Sequence, residues 1–421
     1  ANNLAEQVKD TELEVASVEE SDWKQTPHPP FITSTLQQEA GRKLRFSSAR
    51  TMAVAQRLYE RGYITYMRTD STNLSGQAIN AARTQIASLY GKEYVPEAPR
   101  QYKRKVKNAQ EAHEAIRPAG DDMRTPDSLG KDLDTDEKKV YELIWKRTIA
   151  SQMNDAKGKR VTAKLVADLS SAIEIDGKKY SSATFSAHGR TIVFPGFLRA
   201  YVEGSDDPDT DLEDRESLLP PLDEGEKVVC AGVEPKEHAT LPPARFTEAS
   251  LVKELESRGI GRPSTYAAVM QTIQDRGYVW KKGSAMVPTW TAFAVIRLLE
   301  DYFTHLVDYE FTAKMEEDLD AISVGEMDSQ KWLKDFYFDP KDGLKALVAD
   351  EKIALIDARD INSIVIGQDD KERDVVVRVG RYGAYLERDV DGEPQRANIP
   401  EGVTPDELTP ASAEEYFERS G

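Results

Sequence analysis

Residues 62–75 read GYITYMRTDSTNLS, and this stretch carries a tyrosine and an arginine two positions apart. Residues 63–67 form a short apolar run that is typical of extended backbone, in which side chains alternate between two sides. Tyr66 and Arg68 would then point to the same side. A phenolate can attack a phosphodiester while a guanidinium holds the phosphate through two hydrogen bonds. The spacing suits that chemistry, although most of the 17 tyrosines are expected only to pack.

Helix signals flank this stretch on both sides. Ser47 or Ser48 is a suitable N-cap for a helix that Gly62 would end. Ser75 caps a second predicted helix that stops near Gly91. Residues 31–150 therefore read as mostly helical, with the tyrosine between two helices.

Strand signals occur before and after this helical part. The chain therefore leaves a β domain, builds a helical domain and returns, which is the pattern of an insertion. A further helical part covers residues 246–345, and a last β-rich unit follows it. The predicted strands are residues 13–18, 160–166, 191–194, 227–229, 364–366 and 375–379.

The charge is unevenly distributed along the chain. The net charge is −18, yet residues 26–150 hold 21 Lys and Arg against 15 Asp and Glu, a net charge of +6. Because counterions are displaced locally, a basic segment of an acidic chain can hold a phosphate backbone. Cys230 is the only cysteine, which excludes an intrachain disulfide and a cysteine zinc cluster.

Three motifs in order resemble the bacterial type IA DNA topoisomerases. Residues 64–72 (ITYMRTDST) resemble the active-site signature of that family, and Met67 favours its topoisomerase I branch. Residues 110–118 (QEAHEAIRP) resemble its histidine motif. Residues 242–278, with PPARFTEAS, GIGRPSTY and QDRGY, resemble its DNA-binding helical domain. The resemblance covers about residues 10–345.

The resemblance implies a mechanism for relaxing negative supercoils. Tyr66 would cut one strand and form a 5′-phosphotyrosyl bond, the other strand would pass, and the free 3′-hydroxyl would reseal the break. The covalent link conserves the phosphodiester energy, so no ATP is required. Arg68 would position the scissile phosphate. His113 matches the histidine near the active site.

Further residues match positions that contact single-stranded DNA in the family. Glycines and a proline at 259–263 interrupt one helix before Ser264 or Thr265 opens the next, and a helix N-terminus beside an arginine can bind phosphate. Taken without the resemblance, the same joint is an ordinary helix–turn–helix connection. The matched positions are Gln56, Arg262, Ser264, Thr265 and Arg276.

The last unit contains RVGRYGAYL at residues 378–386, which resembles the small repeat domain that follows the core in some bacterial topoisomerases. Tyr382 and Tyr385, together with Arg378 and Arg381 of the same stretch, can stack bases and follow a backbone. Tyrosines on a strand also commonly pack, so both interpretations stay open.

The expected fold is a multidomain α+β structure, a partial toroid with two helical domains. The expected domains are a β domain at 1–25 and 152–238, a helical domain with the nucleophile at 26–151, a helical DNA-binding domain at 239–345 and a β-rich repeat domain at 346–421.

The family's metal site lies on an N-terminal TOPRIM domain, and the matched region begins beyond it. We expect Mg²⁺ in the full-length enzyme and neither Mg²⁺ nor zinc in this part. Residues 209–213 (DTDLE) match the family's acidic triad by letter, but they lie in an acidic loop without a preceding strand. We therefore expect this loop to be mobile and free of metal, and the chain alone to bind single-stranded DNA without relaxing plasmid.

Two other functions use the same residues: a module that only binds single-stranded DNA, and a tyrosine recombinase, which links DNA through a 3′-phosphotyrosine. The chain shows no secretory signal and no apolar run of about 20 residues. We expect a cytoplasmic monomer that acts on DNA and does not contact a membrane.

Overall fold

The computed structural model describes residues 1–102, 114–204 and 219–420. The chain builds a four-stranded sheet, a helical domain inserted into it, a second helical region and a C-terminal sheet. The longer helices are α1 Asn2–Val8, α2 Thr33–Glu39, α3 Ser48–Glu60, α4 Gly76–Leu89, α5 Thr135–Ser151, α6 Glu248–Ser257, α7 Tyr266–Asp275, α8 Trp290–Tyr302, α9 Tyr309–Ser323 and α10 Ser329–Phe338. Short helices α11 Leu344–Leu347, α12 Asp350–Ile353 and α13 Ala358–Ile361 precede the last one, α14 Pro410–Ser420.

The first sheet is antiparallel, in the order β3-β2-β1-β4. Its strands are β1 Glu12–Gln25, β2 Ala156–Ile175, β3 Lys178–Phe194 and β4 Lys227–Val229. Gln25 at the end of β1 pairs with Ala156 at the start of β2. The whole helical domain therefore leaves and rejoins the sheet at one pair of neighbouring residues.

The helical domain has the largest apolar core of the described residues. α3, α4 and α5 pack around it, and the segment after β3 closes it with Phe197 and Tyr201. Helix α2 lies against this core although most of its side chains are polar. Its buried polar residues are Thr33, Ser34, Gln37, Gln38 and Glu39.

The second helical region consists of α6 to α10 and the hairpin of β5 Val279–Lys282 with β6 Ala285–Pro288. Helices α6 and α7 pack against α2 and α3 of the first helical domain. The two helical regions therefore meet at α2 and α3, the two helices that precede Tyr66.

The C-terminal unit is an antiparallel sheet in the order β10-β9-β8-β7, covered by α14. Its core receives Trp290 from α8, so the unit is docked on the second helical region. Sequence reasoning found β7 and β8 and missed α14. The strands are β7 Ser363–Gln368, β8 Asp374–Gly380, β9 Gly383–Val390 and β10 Glu393–Asn398.

The extended run predicted at residues 63–67 is not a strand. It is an irregular segment with a single bridge, between Ile64 and Pro118. The residue pattern alone favours a strand. In the structure, hydrogen bonds to residues distant in the chain hold this backbone in place, and they take the role that a β-ladder would have. The predicted caps at Ser47 and Ser75 are confirmed, because each side chain accepts a hydrogen bond from the first turn of its helix.

Candidate active site

Thr33 at the start of α2 fixes the backbone on either side of Arg68. Its Oγ1 accepts a hydrogen bond from the Thr69 N–H at 2.9 Å and donates to the Met67 carbonyl at 2.7 Å. The Thr33 N–H also donates to the Thr69 carbonyl at 3.0 Å. Since Thr33 is completely buried, this hydroxyl is a rigid anchor for the segment.

Thr65 fixes the other side of Tyr66. Its N–H donates to the Arg117 carbonyl at 2.9 Å, and its Oγ1 donates to the Ala115 carbonyl at 2.7 Å. In return the Arg117 N–H donates to Thr65 Oγ1 at 3.0 Å. Tyr66 therefore lies between two anchored points although it is not on a strand.

Tyr66 and Arg68 are both exposed, whereas Met67 and Thr69 beside them are buried. The tyrosine is 40% exposed, and its ring meets the ring of Tyr59 edge to face, with centroids 5.2 Å apart. The predicted placement of a phenol and a guanidinium on one accessible side is therefore compatible with this segment. Their catalytic roles remain predictions.

Glu114 and Arg117 connect the histidine motif to the helix that follows the tyrosine segment. The Glu114 carboxylate accepts two hydrogen bonds from the Arg117 guanidinium and one from the Ser75 N–H at 2.7 Å. Burial raises the pKa of Glu114, but the bonds from Arg117 and Ser75 outweigh it and hold that pKa below its usual value. Residue 114 is thereby tied to the N-terminus of α4.

His113 itself lies outside the described residues, as do residues 205–214 of the predicted acidic loop at 204–214. Within the part of the chain that is described, no group of three or more His, Cys, Asp or Glu could hold a metal ion. The described residues do not fit a magnesium site.

Gln56 lies on α3 one turn before Tyr59, and its amide donates to Glu60 at 2.7 Å. The same helix is joined to α5 by Arg57 and Arg61, which both bind the buried carboxylate of Glu137. Helix α3 is therefore held firmly beneath the tyrosine segment. Whether Gln56 contacts DNA stays a prediction.

Arg262 and Arg276, at opposite ends of α7, differ in their partners. Arg262 binds Asp320 at 2.8 Å, and its Nη1 donates to the carbonyls of Gly259 and Gly261. The side chain of Arg276 is exposed and makes no hydrogen bond or ion pair with any residue in the described ranges. This geometry favours a structural contribution from Arg262 and leaves Arg276 available for a phosphate.

Ser264 and Thr265 are exposed at the start of α7, for which Thr265 is the N-cap residue. The Thr265 hydroxyl accepts from the Arg262 N–H at 2.8 Å. The helix start predicted at Ser264 or Thr265 is confirmed, and the DNA contacts of both residues remain predictions.

Tyr382 is 95% exposed in the two-residue turn between β8 and β9, with Arg381 over its ring. Tyr385 is half-buried on β9, with the guanidinium of Arg396 5.7 Å from its ring centre. Arg396 also binds Glu387, so its charge is compensated. The turn is the more accessible of the two predicted stacking positions.

Sequence reasoning missed Thr33 and Glu114 as residues that fix the site. A threonine that begins a polar helix carries no local signal for a contact 36 residues away. Glu114 lies inside the quoted motif, but only the fold shows its bond to Ser75.

Comparison with known proteins places the chain in a family. A family model described as DNA topoisomerase matches residues 1–334, and one described as topoisomerase C-terminal repeat matches residues 368–420. The chain belongs to the DNA topoisomerase family, and the resemblance to its bacterial members is confirmed.

Individual relatives support this assignment. The chain is 55% identical to DNA topoisomerase 1 of Mycolicibacterium smegmatis, covering 99% of this chain and 46% of that protein. It is 52% identical to DNA topoisomerase 1 of Streptomyces coelicolor, covering 99% and 44%. It therefore spans just under half the length of these relatives.

A solved structure confirms the expected α+β architecture. Full-length topoisomerase I from Thermotoga maritima superposes with a TM-score of 0.72 at 34% identity, covering 96% of this chain and 64% of that one. In the described ranges, no helix is long and apolar enough to cross a membrane.

Proposed function

We propose that this chain supplies the nucleophile and part of the DNA-binding surface of a type IA DNA topoisomerase. The observation that carries the proposal is the accessible pair of Tyr66 and Arg68 on a segment anchored on both sides by Thr33 and Thr65. A nucleophile held in one place avoids the entropic cost of positioning it during the reaction.

The proposed reaction cuts one DNA strand reversibly. The phenol of Tyr66 loses its proton and its oxygen bonds to the phosphorus, while the bond from phosphorus to the 3′-oxygen breaks and that oxygen takes up a proton. The reverse step restores the phosphodiester, so no ATP is consumed. Arg68 binds the non-bridging oxygens and stabilises the charge that develops on them.

The test is a cleavage assay on single-stranded DNA labelled at either end, with an N-terminal segment of a relative supplied separately. A covalent adduct that retains the 5′-phosphate supports the proposal. Tyr66→Phe should abolish the adduct while DNA binding remains, whereas the control Tyr309→Phe, at a tyrosine 61% exposed on α9, should not change it.

The same assay distinguishes the two other functions. A 3′-phosphotyrosyl adduct would indicate recombinase chemistry, and binding without any adduct would indicate a module that only binds DNA. An undiminished adduct on Tyr66→Phe would refute the assignment of the nucleophile.

A further inference from the structure

A basic cavity of about 240 Å³ lies where the two helical regions meet. Its walls are the turn after α2, the N-termini of α3 and α6, and the turn of the β5–β6 hairpin. Three cationic side chains line it, namely Arg42, Arg45 and Lys281, together with one carboxylate, Glu248. The charged residues of the lining thus have a net charge of +2.

Arg45 has an unusual backbone for its residue type. It ends the π-helical turn Ala40–Leu44 with φ of 58° and ψ of 31°, and its N–H donates to the Ala40 carbonyl. Glycine is the residue favoured in this left-handed position, because a Cβ atom is strained there. The arginine at this position therefore carries a backbone cost that glycine would not.

The side chain of Arg45 is available for a ligand. It is exposed at the cavity and makes no hydrogen bond or ion pair with the part of the chain that the structure describes. The other charged groups have partners: Arg42 binds Glu39 at 3.2 Å, and Lys281 binds Glu248. Arg45 therefore brings an uncompensated charge to the cavity.

Helix geometry makes the cavity more favourable for an anion. Ser47 and Thr247, the N-caps of α3 and α6, both line it, so the positive ends of two helix dipoles face this space. Glu248 already accepts the Ser48 N–H at 2.7 Å and opposes a second anion at that point. Space for a ligand is thus on the side of Arg45.

The cavity also adjoins the predicted DNA-binding residues. Gln274 of α7 donates to Glu248 at 3.4 Å, two residues before the exposed Arg276. On its other side α3 starts at the cavity and carries Tyr59, which contacts Tyr66, near its far end. Thirteen helical residues span roughly 20 Å.

We propose that Arg45, with Arg42 and Lys281, forms a binding site for a phosphate group. The identification of the ligand rests on the proposed function. If that function holds, the group is a backbone phosphate of single-stranded DNA about 20 Å from Tyr66. A free phosphate ion has the same chemistry, so the test must separate the two sources.

The decisive variant is Arg45→Gly, because glycine suits the left-handed backbone while it removes the charge. Binding of an oligothymidylate is measured by fluorescence anisotropy over a series of salt concentrations. Loss of one phosphate contact should weaken binding several-fold and lower the salt slope by about 0.7. The thermal midpoint should stay equal or rise, which excludes misfolding as the cause.

Two further variants serve as controls. Arg45→Lys keeps the charge and should retain most of the salt slope. Lys179→Ala removes an exposed charge on β3, far along the chain from the cavity, and should leave both affinity and slope unchanged.

A second arm uses inorganic phosphate alone. The thermal midpoint of the unmodified chain should be higher in phosphate than in chloride at equal ionic strength. If phosphate does not raise the midpoint of Arg45→Gly, the anion site is supported independently of DNA. If the unmodified chain binds no oligonucleotide, the proposed function fails and this arm alone decides the site. Unchanged oligonucleotide binding in Arg45→Gly together with no phosphate effect would overturn the inference.

Discussion

At the scale of single residues, the site depends on hydrogen bonds to backbone groups. Thr33 shows this most directly, because one hydroxyl serves two backbone positions around Arg68. Removing such a group leaves buried backbone atoms unpaired, which costs more than the hydrogen bond itself contributes.

Thr33→Val should therefore lower the free energy of unfolding by about 1–3 kcal/mol and reduce the adduct yield at Tyr66. Urea unfolding and the cleavage assay measure the two effects. The control is Thr84→Val on the exposed face of α4, where the lost hydroxyl donates to the Asn80 carbonyl, and this variant should stay within about 0.5 kcal/mol. Equal midpoints for both variants would contradict the anchoring of residues 67–69 by Thr33.

Glu114 should make the stability of the fold depend on pH. Because its pKa is lowered in the folded chain, the carboxylate stabilises the fold above its ordinary pKa of 4.5, and this stabilisation is lost as the pH falls below that value. Glu114→Gln should be less stable than the unmodified chain at pH 7, and the difference should shrink below about pH 4.5.

Thermal midpoints between pH 3 and pH 8 measure that difference. Glu19→Gln, on the exposed part of β1, is the control and should show a much smaller difference at pH 7. If the difference in thermal midpoint between Glu114→Gln and the unmodified chain is constant over the whole pH range, this would argue against the ion pair with Arg117.

At the scale of elements, two arginines of the hairpin of α6 and α7 differ in their hydrogen-bond partners and in their exposure. Arg262 is tied to Asp320 and to backbone carbonyls near its own turn, whereas Arg276 is exposed at the other end of α7. The same residue type at matched motif positions thus has different physical roles.

Arg276→Ala should weaken binding of single-stranded DNA and lower the salt slope by about 0.7, with no loss of stability. Arg262→Ala should lower the unfolding midpoint instead, because it leaves Asp320 and two carbonyls without a partner. Anisotropy titrations and thermal unfolding of both variants test this. A reduced slope for Arg262→Ala with an unchanged midpoint would show that Arg262 also contacts phosphate.

The elements themselves were predictable to different degrees. Helix caps at Ser47 and Ser75 act within one turn, so the sequence indicates them directly. The segment around Tyr66 is held by Thr33 and by residues near 116, and a pattern read over a few residues cannot contain those contacts. Arg45 illustrates the same limit, since its left-handed backbone follows from the π-helical turn and not from its residue type.

At the scale of the whole molecule, the chain spans 46% of the length of its Mycolicibacterium smegmatis relative. The motifs identified the family because long sequences in fixed order are specific. Sequence alone also indicated the excursion from one sheet into a helical domain and back. It could not indicate how the second helical region meets the first, because that contact joins residues about 200 positions apart.

We expect the chain alone to bind single-stranded DNA, less tightly as salt rises, and to leave negatively supercoiled plasmid unrelaxed. Loss of one preorganised electrostatic stabiliser costs about 10²–10³ in rate, and the resemblance implies that several of them lie on a TOPRIM domain, which the matched motifs do not include. Gel analysis of plasmid after incubation with and without Mg²⁺ measures this. Relaxation that Tyr66→Phe abolishes would contradict the expectation.

The pairing of Gln25 with Ala156 has a consequence for protein engineering. Opposed residues in an antiparallel ladder have Cα atoms only about 5 Å apart, so everything between these two positions begins and ends at almost one point. The segment is thus a cassette: a tight turn could close the gap that it leaves between β1 and β2, whereas the segment by itself would lack Phe197 and Tyr201, which complete its core. Chimeras that exchange this cassette between relatives would need only two junctions, side by side on one ladder.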